Sequence, residues 1–167
     1  MTDFQIPLDS PLGRLHLLAD EAALLAVSLP NAPPDPPAGH ARRDGAGHPV
    51  LERARAQLTE YFAGHRRDFD LPLAPRGTDF QRRVWTALTA IPYAATRSYA
   101  EIAAAVGKPS ASRAVGGANG KNPLAIVVPC HRVIGADGSL TGYGGGLACK
   151  EWLLHHERAV QAKTEQP

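Results

Sequence analysis

The stretch SYAEIAAAVGKPSASRAVGGAN, Ser98–Asn119, decides how the chain is to be read. Ser98 and Glu101 stand three apart. That is the spacing of a capping box, in which the serine hydroxyl takes a free N–H of the first helical turn and the glutamate reaches back to the N-cap N–H. The box predicts a helix over residues 99–106, stopped by Gly107. Pro109 and Ser110 then lead into a further helical stretch, about 111–119, which carries Arg113. Two short helices joined by a tight turn containing glycine read as a helix-turn-helix, although a plain helical hairpin has the same pattern. Charge favours the first reading. Residues 76–132 hold 8 Lys/Arg against 2 Asp/Glu, whereas residues 1–75 hold 7 against 10 and residues 133–167 hold 3 against 4. A basic segment coinciding with the helical pair is the footprint expected for a polyanion, although a solvated basic face carries the same charge.

Upstream, Thr78 and Gln81 form another capping-box pair. Phe80, Val84, Leu88 and Ile91 make one apolar stripe, and Pro92 is the expected stop. Residues 71–77 read as a linker. Before it, Val50, Leu51, Ala54, Leu58, Tyr61 and Phe62 recur at helical spacing over 49–63, with Gly64 as the stop, and Phe69 and Leu71 suggest a short strand. The first thirty residues read as strands: Leu15, Leu17 and Ala19 alternate with His16 and Leu18, and residues 22–29 form a second apolar run. Residues 30–49 hold six prolines and three glycines and read as an exposed loop with no assigned function. The expectation is an α+β protein. A small N-terminal antiparallel sheet with a helix (1–75) precedes a mainly helical domain (76–160) containing the helix-turn-helix and an active-site loop, and 161–167 is a tail.

The composition, 44% apolar and 20% charged over 167 residues, is that of a globular chain and excludes a disordered one. No apolar run reaches the length of a membrane span, and the N-terminus lacks the basic start and apolar core of a signal peptide. A cytoplasmic location with no membrane partner is expected. Cys130 and Cys149 are too few for a disulfide framework and do not form a zinc-binding pair, so no metal site is expected and reduced thiols are the default.

A reactive thiol is therefore permitted, and residues 122–146 supply its setting. Residues 125–128 read as a short buried strand or extended run, which Pro129 breaks. Cys130 stands at its end, followed by His131 and Arg132, whose positive charge would favour the thiolate. In an extended chain Cys130 and His131 would point to opposite faces, so proton transfer needs a local turn or a bridging water. The last helix, expected over 147–158, carries Glu157 four residues after Leu153 and three after Leu154. Glu157 therefore shares their apolar face, where a carboxylate needs a partner such as His131 or Arg132. A glutamate at a solvent-exposed helix end is the alternative.

The string Pro129-Cys130-His131-Arg132-Val133 resembles the active-site motif of the O6-alkylguanine-DNA alkyltransferases, or methylated-DNA–protein-cysteine methyltransferases. Ile91 to Tyr93, Ser98-Tyr99, Arg113 to Ala118, Asn122-Pro123, Tyr143 to Gly146, Lys150 to Leu154 and Glu157 follow in family order, so the resemblance covers about residues 78–158. It is to the members without an adaptive-response regulatory domain, and it implies no transcriptional role and no cofactor. It implies that Cys130 accepts the alkyl group, that His131, held by Glu157, deprotonates it through a water, and that Asn122 supports the active-site turn. Tyr143 would deliver a proton to the leaving base. Tyr99, Val133, Tyr143 and Gly144 would line the pocket of the extruded guanine, with the Cys130 and Val133 carbonyls accepting from its amine. Arg113 would fill the gap in the base stack. Ser98, Tyr99, Ala111, Ala114 and Gly116 would lie against the DNA, the small residues (Gly117 and Ala118 among them) allowing close approach.

The implied partner is double-stranded DNA containing O6-alkylguanine, and the implied reaction is an irreversible, single-turnover direct repair by a monomer. Action on O4-alkylthymine and cooperative assembly on DNA stay open. Two other functions compete. A non-catalytic sensor of alkylated DNA would bind without transfer, although such relatives replace the nucleophile. A cysteine hydrolase built on Cys130, His131 and Glu157 would turn over an ester, but it leaves Arg113 and the basic helices unexplained.

Overall fold

The computed structural model describes residues 2–31, 41–140 and 146–165, and these fall into two compact units, Met1–Arg76 and Gly77–Pro167.

In the first unit, β1 (Thr2–Ser10) and β2 (Gly13–Ala19) form a hairpin, β3 (Leu24–Ser28) adds antiparallel to β2, and β4 (Ala41–Asp44) adds parallel to β1. The order is β3-β2-β1-β4, so the sheet is mixed rather than antiparallel throughout. Gly13 takes φ +111 at the hairpin turn, a conformation that side chains disfavour. Alternation along β2 buries Leu15 and Leu17, and α1 (Pro49–Phe62) packs against the sheet through Leu51, Ala54, Leu58 and Tyr61. Each fully buried leucine of this kind contributes roughly 1.5–3 kcal/mol. Leu18, on the other face by the two-residue period, is also buried, with Leu25 and Ala26, where alternation alone suggests exposure. His48 caps α1 and Pro49 begins it, a position where the missing N–H costs nothing.

Two further expectations for this unit are corrected. Residues 41–44, at the end of the proline-rich stretch, form β4: the β1 edge supplies the ladder bonds that local composition does not foretell. Phe69 and Leu71 form no strand. Instead Leu73 makes an isolated bridge to Leu24, with Leu24 N–H donating to the Pro72 carbonyl and Ala74 N–H to the Leu24 carbonyl. Asp3, fully buried, is held by two 3.0 Å bonds from the Arg76 guanidinium.

The second unit contains α2 (Asp79–Leu88), β5 (Arg97–Ser98), α3 (Tyr99–Ala105), α4 (Ser112–Gly120), a 3-10 turn at Cys130–Arg132, β6 (Val133–Ile134) and α5 (Leu147–Glu165). Both expected capping boxes form, at Thr78/Gln81 and Ser98/Glu101. Helix α2 buries Val84, Trp85 and Leu88 and ends before Ile91, which is buried beyond it; Phe80 is only half-buried. Trp85 Nε1 donates to the Ala118 carbonyl at 2.8 Å, and Arg83 donates to the Val106 carbonyl at 2.7 Å, so α2 holds both members of the α3–α4 pair. Helix α5 runs on through Glu165 and absorbs most of the expected tail.

Candidate active site

Residues 122–128 make a tight knot, so 125–128 are not the expected strand or extended run. Ile126 has φ +73, rare for a β-branched residue, and the Val127 N–H donates to the Ala125 carbonyl two residues back at 2.8 Å. The Asn122 side chain holds this strained backbone: its Oδ1 accepts from Leu124 N–H at 3.0 Å, and its Nδ2 donates to the Val128 carbonyl at 2.8 Å. A second two-residue turn closes across Pro129, with Cys130 N–H donating to the Val128 carbonyl at 2.8 Å. The chain then enters the 3-10 turn, and the concern that Cys130 and His131 oppose each other across an extended strand disappears. Cys130, His131, Arg132 and Val133 are all buried. Residues Arg97 and Ser98 of β5 pair in parallel with Val133 and Ile134 of β6. That pairing puts the start of the helix-turn-helix beside the cysteine turn.

Glu157, fully buried on α5, ties the turn to the rest of the unit. Its carboxylate accepts from His131 Nε2 at 2.7 Å, from Arg132 Nε at 2.8 Å and Nη2 at 3.0 Å, and from the Ala94 N–H at 3.2 Å. Ala94 adopts φ +62 to present that N–H. Arg132 also donates to the Ile91 carbonyl at 2.8 Å and lies over the Tyr93 ring. Burial opposes ionisation of Glu157, but the bonds from His131 and the bidentate Arg132 outweigh it and hold the carboxyl well below its usual range. Burial pushes the His131 imidazole down, against the pull of Glu157, so it is neutral at neutral pH. An ionised Glu157 can only accept, so the proton of neutral His131 sits on Nε2. Nδ1, which has no hydrogen-bond partner among the described residues, keeps its lone pair.

The other sequence-derived candidates fall on the helix-turn-helix. Ser98 is the N-cap of α3 and Tyr99 its first residue, half-buried and packed over Gly116 of α4, where an added Cβ would sit 3.8 Å from the ring. Ala111 precedes α4; Arg113 and Ala114 project from it to solvent. Tyr143 and Gly144 lie outside the described residues. Cys149 is half-buried, and burial pushes its thiol up. Among the described residues no cluster of metal-ligating side chains occurs and no helix is long and apolar enough to cross a membrane.

Sequence reading missed three participants. Asn119 donates to the Cys130 carbonyl at 3.3 Å. The Ala94 N–H has no signal in the sequence, because only its backbone acts. Lys150, fully buried, donates from Nζ to the Val133 carbonyl at 2.6 Å. Its signal was present: Lys150, Leu153, Leu154 and Glu157 share one helical face.

A buried cysteine turn carrying a His–Glu–Arg cluster, joined by β-pairing to a helix-turn-helix, defines a thiol-dependent protein with a nucleic-acid-type module. The family model "6-O-methylguanine DNA methyltransferase, DNA binding domain" matches residues 79–159, and "6-O-methylguanine DNA methyltransferase, ribonuclease-like domain" matches residues 5–75. The chain belongs to the 6-O-methylguanine DNA methyltransferase family. It is 50% identical over 152 residues to a methylated-DNA–protein-cysteine methyltransferase of Mycobacterium bovis, covering 91% of this chain and 90% of that protein. It is 59% identical over 111 residues to the constitutive methylated-DNA–protein-cysteine methyltransferase of Bacillus subtilis, covering 66% and 67%. The crystal structure of Mycobacterium tuberculosis OGT in complex with DNA superposes with a TM-score of 0.84 at 47% identity, covering 96% of this chain and 94% of that one.

Proposed function

We propose that this protein repairs DNA directly by moving the alkyl group of O6-alkylguanine onto Cys130. The observation that carries the reading is the assembly of Cys130 with the buried His131–Glu157–Arg132 cluster in a member of this family. His131 Nδ1, held as an acceptor by the bond from Nε2 to Glu157, takes the Cys130 proton through a bridging water. The thiolate attacks the alkyl carbon, a sulfur–carbon bond forms and the carbon–oxygen bond to guanine breaks. The proton returns to the leaving base, by way of Tyr143. The thioether is stable, so each molecule acts once, and no cofactor takes part.

The alkylated oxygen lies inside the duplex, so the nucleotide is rotated out into a pocket, at a cost of a few kcal/mol that is lowest for a damaged pair. Arg113, exposed on α4, enters the gap, and Tyr99 with its neighbours Ser98 and Gly116 faces the displaced nucleotide. Ala111 and Ala114 let α4 approach closely. The family resemblance assigns Val133, Tyr143 and Gly144 to the pocket of the extruded base. Contacts from the basic segment to phosphate supply much of the affinity, so binding weakens with salt. The same assay with a duplex carrying one O4-methylthymine decides whether that base is also a substrate.

The test is the intact mass after incubation with a duplex carrying one O6-methylguanine, beside a Cys130→Ser variant. The expected result is a gain of one methylene on the unmodified chain alone, mapped to Cys130 and saturating at one per molecule. Tight binding without a mass gain would make the protein a damage sensor and overturn the proposal.

A further inference from the structure

Alkylation at O6 removes the N1 proton of guanine, so the exocyclic 2-amine is the only hydrogen-bond donor left on the base. The acceptors beside Cys130 therefore bear on which base the site takes. The Val128 carbonyl accepts from Asn122 Nδ2 and from the Cys130 N–H. The Cys130 carbonyl accepts from the Val133 N–H and, at 3.3 Å, from Asn119 Nδ2, so both its lone pairs are engaged. Asn119 itself lies in the last turn of α4 and is 1% exposed, where the bond from Trp85 Nε1 to the neighbouring Ala118 carbonyl holds the helix. Its partner at the turn is a carbonyl, so the end of the amide facing Cys130 is Nδ2 and the other end is Oδ1. That Oδ1 is buried and has no hydrogen-bond partner among the described residues. The two ends of an amide are roughly 2.2 Å apart, which keeps Oδ1 within about 5.5 Å of the Cys130 carbonyl oxygen. A leucine of similar size would fill the place without leaving a polar atom unpaired.

We propose that Asn119 is a specificity-determining residue of the acceptor site, its Oδ1 accepting one hydrogen of the 2-amine of O6-alkylguanine. This rests on the reading of Cys130 as the alkyl acceptor. O6 and the 2-amine lie on one edge of the purine, so a base whose alkyl carbon faces the Cys130 sulfur brings its amine to the same turn. Cys130 is itself 5% exposed, so a base that displaces its cover also reaches the amide bonded to its carbonyl. Nδ2 stays on the Cys130 carbonyl while Oδ1 takes the amine, and one side chain both braces the turn and selects the base. An O4-alkylated thymine has lost its N3 proton, carries no donor and leaves Oδ1 unpaired. An acceptor that only the right base satisfies discriminates against an analogue lacking the donor.

The test uses two duplexes that differ by one group, one carrying O6-methylguanine and the other O6-methylhypoxanthine, which lacks the 2-amine. Single-turnover transfer to Cys130 of the full chain is followed by intact mass. A neutral hydrogen bond changes a rate by about two- to tenfold, so O6-methylguanine should react faster by at least that factor. Equal rates on the two duplexes overturn the proposal. A second measurement ties the preference to Asn119. In crystals of the full Cys130→Ser chain bound to the O6-methylguanine duplex, the 2-amine nitrogen should lie within about 3.5 Å of Asn119 Oδ1. An amine farther away, held by another acceptor, overturns the proposal even where the rates differ. The outcomes separate from those of the proposed function. If O6-methylguanine transfers its methyl group but the amine makes no difference, this inference alone fails; if no transfer occurs from O6-methylguanine, the proposed function fails.

Discussion

Glu157→Gln probes the cluster that holds the cysteine turn. The carboxylate accepts one bond from His131, two from Arg132 and one from Ala94, all from groups buried or part-buried in the second unit. The amide cannot neutralise Arg132, and one of its two ends presents N–H groups to other donors. Removing one member of a buried ion pair leaves the other charge uncompensated, which costs about 3–5 kcal/mol. For a chain of this size each kcal/mol shifts the melting point by about 2–4 °C, so the chain should melt about 6–20 °C lower. Arg132→Met, which strands Glu157, should cost a similar amount. The double variant Glu157→Gln/Arg132→Met strands neither charge and should be far more stable than the sum of the two losses. Urea unfolding at pH 7.5 of all four chains closes the cycle. Additive losses, or a Glu157→Gln cost below 1 kcal/mol, would refute the view that Arg132 and Glu157 compensate each other.

Three further outcomes are expected. Asn122→Ala removes the bracket around the strained turn at Ile126; it should cost about 1–3 kcal/mol and slow single-turnover transfer, with affinity for undamaged duplex retained, and equal loss of both would contradict a role confined to the turn. Arg113→Ala should leave stability within about 0.5 kcal/mol, because the residue is exposed, yet abolish most transfer, as read by methylation of Cys130; full transfer would remove Arg113 from the site. Both His131 and Glu157 have folded values below their unfolded ones, so each stabilises fully above its unfolded value and the contribution drains as pH falls. Melting temperature should therefore decline below about pH 6.5 through His131 and further below about 4.3 through Glu157, and a stability that rises on acidification from pH 7 to 5 would be inconsistent with a buried neutral imidazole.

Much of the site was legible before the fold was known. Capping boxes are short-range hydrogen-bond patterns, so Thr78/Gln81 and Ser98/Glu101 mark the starts of α2 and α3 whatever surrounds them. Helical spacing from Leu153 and Leu154 puts Glu157 on the buried face, and the same spacing applied to Lys150 would have found the second buried charge. The run at 122–146 singled out Cys130 and His131 by residue type, and its resemblance to the alkyltransferase motif is what assigned them roles.

What tertiary structure decided was everything that depends on partners distant in sequence. Residues 41–44 are a strand because β1 offers an open edge, not because Ala41 to Asp44 favour one. Residues 125–128, apolar and β-branched, look like a strand yet are folded into a strained turn by the amide of Asn122, whose bonds outweigh local preference. The choice of His131 and Arg132 together as partners of Glu157, the neutral state and tautomer of His131, and the backbone N–H of Ala94 aimed at the carboxylate all arise from burial and from contacts between residues 25 to 63 positions apart. Periodicity records which face of a helix is apolar; only the packed fold brings charges from different elements close enough, in a low-dielectric interior, to set one another's ionisation.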